Sequence, residues 1–83
     1  MPYIPQERRE YLKQFPSVVD NPGELNFLLT QVALDYLKKH GMSYATCNDI
    51  VGALESAKQE FYAKVVRPYE DSKALSNGEI YPV

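Results

Sequence analysis

Residues 21–41 read NPGELNFLLTQVALDYLKKHG, and both ends of this stretch carry helix-boundary chemistry. Asn21 can cap a helix, Pro22 suits the first helical position because its missing N–H would be unpaired there anyway, and Glu24 can reach back to the cap N–H. At the other end Lys38, Lys39 and His40 place cations against the negative end of the helix dipole, and Gly41 can take the positive φ that closes a helix. A helix from Pro22 to His40 is therefore expected. At 100° per residue Leu25, Leu28, Leu29, Val32 and Tyr36 share one face, which reads as the intramolecular core. Phe27 and Leu34 fall nearly opposite, where a monomeric helical domain should be polar. They read as an oligomer surface.

Working outward, either Ser43 or Asn48 can cap the next helix, with Asp49 favourable in its first turn, and the residues alone leave both starts open. Ile50, Leu54, Ala57, Phe61 and Val65 form its apolar face, flanked by Val51, Tyr62 and Tyr69 on one side and Ala53 on the other. Pro68 lacks a backbone donor and disfavours helical geometry at Arg67, so the helix should end or kink near Pro68. Residues 69–75 can continue it. Ser76-Asn77-Gly78 is a turn signal, and residues 79–83 are apolar enough to dock as an extended tail. Before the central helix, a short helix from Pro5 is expected, with Ile4, Arg8, Tyr11, Leu12 and Phe15 at helical spacing until Pro16 stops it. The expected fold is all-α: one domain over residues 1–83, a short N-terminal helix, an antiparallel pair of longer helices and an extended C-terminal tail.

With 83 residues, 45% hydrophobic and 24% charged, the chain has ordinary globular composition. A chain this short buries only roughly 60–65% of its unfolded surface, so partners would add much to its stability. No apolar run approaches a membrane span and the N-terminus lacks a signal-peptide layout, which reads as soluble and cytoplasmic. The single Cys47 excludes an internal disulfide and a cysteine zinc site. Nine Lys+Arg against eleven Asp+Glu give a net charge of -2, with no general attraction for DNA.

Catalytic constellations are absent from the pattern. His40 is the one histidine and sits where it complements a helix dipole; a Cys47/His40 nucleophile pair has no orienting group. Glu55, Glu60, Glu70 and Asp71 scatter around the third helix instead of converging. Gly23, Gly41, Gly52 and Gly78 are too widely spaced for a phosphate loop. No catalytic residue, metal ligand or cofactor is expected. Gly52, Ser56 and Ala63 form a small-residue strip on which a second helix could approach closely, and Gly52 and Ser56 join Phe27 and Leu34 as the expected oligomer interface.

Seven tyrosines and no tryptophan are the remaining oddity. Tyr62 and Tyr69 lie on one side of the third helix, with Lys64, Arg67 and Lys73 close in sequence. Aromatic faces beside cations suit an anionic ligand carrying a base, through stacking and charge-assisted hydrogen bonds. Arg67, Tyr69, Tyr62 and Lys64 are the expected ligand-binding residues. Solvent-exposed tyrosines bordering a core, with the cations paired to Glu60, Glu70 and Asp71, are the alternative.

Gly23-Glu24-Leu25-Asn26, Leu29-Thr30, Tyr36-Leu37, Gly41, Ser43-Tyr44, Asn48-Asp49, Val51-Gly52-Ala53-Leu54-Glu55, Lys58, Glu60-Phe61-Tyr62, Pro68-Tyr69-Glu70 and Asn77-Gly78 together resemble a family of small, functionally undefined proteins of tailed phages and prophages. The likeness runs from about Gly23 to Tyr81. Relatives often carry a basic pair after Glu-Phe-Tyr, where this chain has Ala63-Lys64. A fainter likeness, of layout only, is to phage sponge proteins that assemble as helical homo-oligomers and sequester the cyclic nucleotides of bacterial immune signalling. The resemblance implies a homo-oligomer in the host cytoplasm that binds a cyclic nucleotide or ADP-ribose-type ligand without turnover, with Arg67 and Lys64 on phosphate and Tyr62 or Tyr69 on the base. A module docking a phage or host protein is the competing implication.

Overall fold

The computed structural model describes residues 4–82, and the fold is all-α. Helix α1 covers Gln6–Gln14, a 3-10 turn follows at Pro16–Val18, and α2 covers Pro22–His40. Helix α3 runs Tyr44–Phe61, passes through a π-helical stretch at Tyr62–Val66 and continues as α4, Arg67–Asn77. Contacts divide the chain into two compact units, residues 1–50 and residues 51–83.

In the first unit, α1 packs on α2. Leu12 is fully buried and Phe27 is 7% exposed, and these two are the buried hydrophobic residues among those described. What fixes α1 in place is polar. Arg8 forks onto Glu24, Nε donating to Oε2 at 2.7 Å and Nη2 to Oε1 at 2.9 Å, while Nη2 also donates to the Val18 carbonyl at 3.0 Å. A planar guanidinium matched to both carboxylate oxygens gives orientation as well as attraction. The same Glu24 carboxylate accepts from the Asp20 N–H at 2.9 Å, and the Asn21 side chain accepts from the Glu24 N–H at 2.9 Å. Asn21 is thus the cap that the sequence indicates, but Glu24 reaches one residue past it, to Asp20. Replacing Asn21 by Ala should cost about 1 kcal/mol, because one N–H of the first turn loses its acceptor. Chemical denaturation of the two proteins measures it, and an unchanged midpoint would show that the cap is dispensable.

Docking of α1 corrects the face assignment of α2. Phe27, expected to face solvent as part of an oligomer surface, points into the intramolecular core beside the Arg8–Glu24 fork. Leu25, Leu29 and Val32, expected to be core, are 53%, 50% and 69% exposed. Both faces are apolar, and α1 covers the one that carries Glu24, because only that face offers a carboxylate to Arg8.

At the far end of α2, Gly41 has φ 84° and its N–H donates to the Leu37 carbonyl at 2.7 Å. This left-handed backbone excludes ordinary side chains, so the glycine stop is structural. Ser43 is the cap of α3: its Oγ accepts from the Thr46 N–H at 3.0 Å, which resolves the choice between Ser43 and Asn48. Tyr36 donates its hydroxyl to Asp49 Oδ2 at 3.1 Å and its ring lies 4.3 Å from that of His40. The Asp49 bond holds the Tyr36 phenol above its usual pKa, since the protonated form is the donor.

In the second unit, Pro68 neither ends the helix nor leaves an ordinary one. The Arg67 N–H reaches back to the Tyr62 carbonyl, an i→i+5 closure. Pro68 has no N–H for the Lys64 carbonyl and its ring would crowd that oxygen; the wider π turn just before it makes the room. Gly78, at φ 98°, then closes α4 with its N–H on the Ala74 carbonyl at 2.8 Å. No described residue of this unit is buried.

Candidate functional site

The second unit holds a concave surface of about 710 Å³, built between α4 with its preceding π turn and the C-terminal tail. Its origin is local. The positive φ of Gly78 turns the chain out of α4, and Glu79 Oε1 then accepts from the N–H groups of Ile80 and Tyr81 at 2.9 and 2.8 Å, so the tail is held in a bend. Ile80 and Tyr81 line the cleft opposite Tyr62 and Arg67. The i→i+5 closure joins the backbones of Tyr62 and Arg67 across one turn, and both side chains line the cleft.

Of the four expected ligand-binding residues, the structure gathers Tyr62 and Arg67 in this cleft. Lys64 and Tyr69 are outside its lining. Tyr69 instead carries the Lys73 ammonium 5.6 Å from its ring centroid, and Lys73 itself borders the cleft. The extra residue of the π turn shifts the phase of everything after it, so an α-helical projection mispairs Tyr62 with Tyr69. Tyr81 and Ile80 are lining residues outside the expected set, and their signal in the sequence is the turn at Gly78 followed by an apolar tail.

Charge in the cleft is mixed. Arg67 and Lys73 face Glu70, Asp71 and Glu79 around the same opening. Among the described residues the ion pairs join Arg8 to Glu24, Lys13 to Glu10 and Lys58 to Glu55, so Arg67 and Lys73 have no carboxylate at ion-pair distance. Both cations can therefore meet a ligand, yet the acids make the cleft a poor host for a multiply charged polyanion. A ligand with one or two phosphate charges and several hydrogen-bond donors matches it better.

The expected oligomer residues fall two in each unit. Phe27 is in the core, Leu34 is half-exposed on α2, and Gly52 and Ser56 are exposed on α3, with open space where a Cβ of residue 52 would stand. Cys47 is half-buried with its Sγ 3.7 Å from Met42 Sδ, a contact that supplies no activating base. Among the described residues no cluster of three His, Cys, Asp or Glu side chains has metal-binding geometry, and no helix is long and apolar enough to cross a membrane.

A small all-α protein with an aromatic cleft of mixed charge at its C-terminal helix is thus the class defined by fold and site. The chain belongs to the family described as Domain of unknown function (DUF6899), which matches residues 1–80. No curated protein and no solved structure matches it.

Proposed function

We propose that the protein is a non-catalytic binding protein that holds a small anionic ligand with an aromatic base, of the cyclic-nucleotide or ADP-ribose class, in the cleft of its C-terminal helix. The supporting observation is the meeting of Tyr62, Arg67 and Tyr81 around one opening, with no ion pair to Arg67 among the described residues. Arg67 can clasp a phosphate bidentately, and Tyr62 and Tyr81 offer stacking faces from the helix and the tail. Among the described residues the cleft lining holds no His, Cys, Ser or Thr to act as nucleophile, and the reading is stoichiometric capture. The resemblance to small phage and prophage proteins supplies a setting: sequestration of a nucleotide immune signal in the bacterial host cytoplasm, without turnover.

Calorimetric titration against a panel of cyclic di- and trinucleotides and ADP-ribose derivatives tests this. Arg67→Ala should weaken binding by roughly 1.5–3 kcal/mol, the range for a hydrogen bond to a charged group, and affinity should fall with salt. Helix content should be unchanged, because Arg67 makes no ion pair among the described residues. Absence of heat with every ligand overturns the reading. The second reading, docking of a protein partner, then rests on Phe61, Val65 and Leu75, which are 60%, 50% and 91% exposed.

A further inference from the structure

A face of α2 turned away from the Arg8–Glu24 fork carries Leu25, Leu29, Val32 and Tyr36, at steps of four, three and four residues, and at Val32 it borders a shallow concavity shared with Lys13 and Pro16. That is the a/d spacing of a helix-pairing seam. The four side chains are 53%, 50%, 69% and 38% exposed, so the seam is open in the described structure. Its position is enforced from behind: Glu24 and Phe27 are turned toward α1 by the Arg8 fork, and Tyr36 is anchored through its hydroxyl to Asp49. A preset, apolar, unpaired stripe of this kind loses most if left in water and gains most from burial.

We infer that this seam is occupied by the same seam of a second copy of the chain, running antiparallel, in a two-fold dimer. Two observations select that occupant. First, the stripe is its own complement under a two-fold axis: with the axis between positions 30 and 31, Leu25 lies level with the partner's Tyr36, and Leu29 with the partner's Val32. Four apolar layers form with no polar residue in the seam. Second, the charges fit only one direction. Lys38, Lys39 and His40 end α2, while the exposed Asp20 precedes it; Glu24 takes no part, its carboxylate being held by Arg8 on the other side of the helix. Antiparallel pairing sets the cationic end of each helix beside the acidic start of the other and opposes the helix dipoles; parallel pairing would stack the cations of both copies. The dimer needs neither the ligand nor the cleft, so it stands or falls separately from the binding function.

Light scattering on the eluting full-length protein, across micromolar concentrations and without ligand, should return twice the chain mass. Val32→Arg should retain its helix signal, because Val32 is the most exposed of the four, and should raise the dimer dissociation constant at least ~100-fold, since the two-fold axis places each new charge in the desolvated seam twice. Direction is read by crosslinking in a Cys47→Ser background. Mixed Leu29→Cys and Val32→Cys proteins should join to each other in preference to themselves, because the antiparallel register brings 29 and 32 together at disulfide range. A wild-type monomer, an oligomer indifferent to Val32→Arg, or self-joined Leu29→Cys in preference to the mixed product would each overturn the inference.

Discussion

Phe27→Asp is expected to unfold the N-terminal unit. Phe27 is 7% exposed and lies with Leu12 at the center of the α1–α2 packing. Removing a buried phenyl ring costs about 3–5 kcal/mol through lost transfer energy and the cavity left behind, and a carboxylate in its place adds a desolvation cost with no cation free to meet it. Arg8 is committed to Glu24 and Val18. A unit this small has total stability near or below that sum. Phe27→Leu, which keeps the apolar character, should cost less than about 1.5 kcal/mol. Circular-dichroism melts of the three proteins are the measurement. A cooperative transition in Phe27→Asp close to that of wild type would mean that Phe27 faces solvent after all.

The second large effect concerns Glu24 and is pH-dependent. The hydrogen bonds from Arg8, together with those from the Asp20 and Asn21 region, hold the Glu24 carboxyl below its ordinary 4.5. A group with a depressed folded pKa contributes stability that is complete above the unfolded value and is lost as pH falls through the folded one. Glu24→Gln leaves the half-buried Arg8 guanidinium without its counter-charge, so the variant should melt ~10 °C or more below wild type near pH 7. As pH falls from the ordinary carboxyl value of 4.5 through the depressed folded one, the wild-type carboxylate is itself protonated, and the gap should close from the wild-type side. Melting midpoints of both proteins between about pH 7 and pH 3 give the result. A gap that stays constant over that range would assign the loss to packing and not to charge.

These two residues also show what could be read from the chain and what could not. The ends of α2 are legible because they are local: the Asn21 cap, Pro22 at the first position and Gly41 at the stop need only their immediate neighbours, and each is where the sequence puts it. Helical periodicity likewise separates the two faces of α2. It cannot say which face is inside, because Phe27 on one and Leu25, Leu29, Val32 on the other are both apolar. The decision is made by an ion pair sixteen residues apart in sequence, between Arg8 and Glu24, for which the chain carries no local mark. Ser43 won over Asn48 as the α3 cap through its bond to Thr46, three residues on, the spacing of a capping box without its acidic member.

The cleft follows the same division. Tyr62 and Arg67 are legible as an aromatic and a cation close together in sequence, and both line the cleft. Tyr69 joins Tyr62 on one side only when the helix is projected at a constant angle, to which the π turn at Tyr62–Val66 adds one residue, and Lys64 joins them by closeness in sequence alone. Tyr81 enters through the bend set by Gly78 and Glu79, which depends on a side-chain carboxylate capturing two backbone N–H groups. Turn chemistry of that kind is visible in the sequence as a glycine alone.

The most direct test of the binding cleft is an NMR titration of the isotope-labelled, full-length protein with the cyclic nucleotide or ADP-ribose derivative that gives the largest heat. The account predicts shifts concentrated at Tyr62, Arg67, Lys73 and Tyr81, with the amides of Ile80 and Tyr81 moving together because Glu79 holds both. Shifts centred instead on Lys64 and Tyr69, or no shift at any of the cleft residues at saturating ligand, would contradict it.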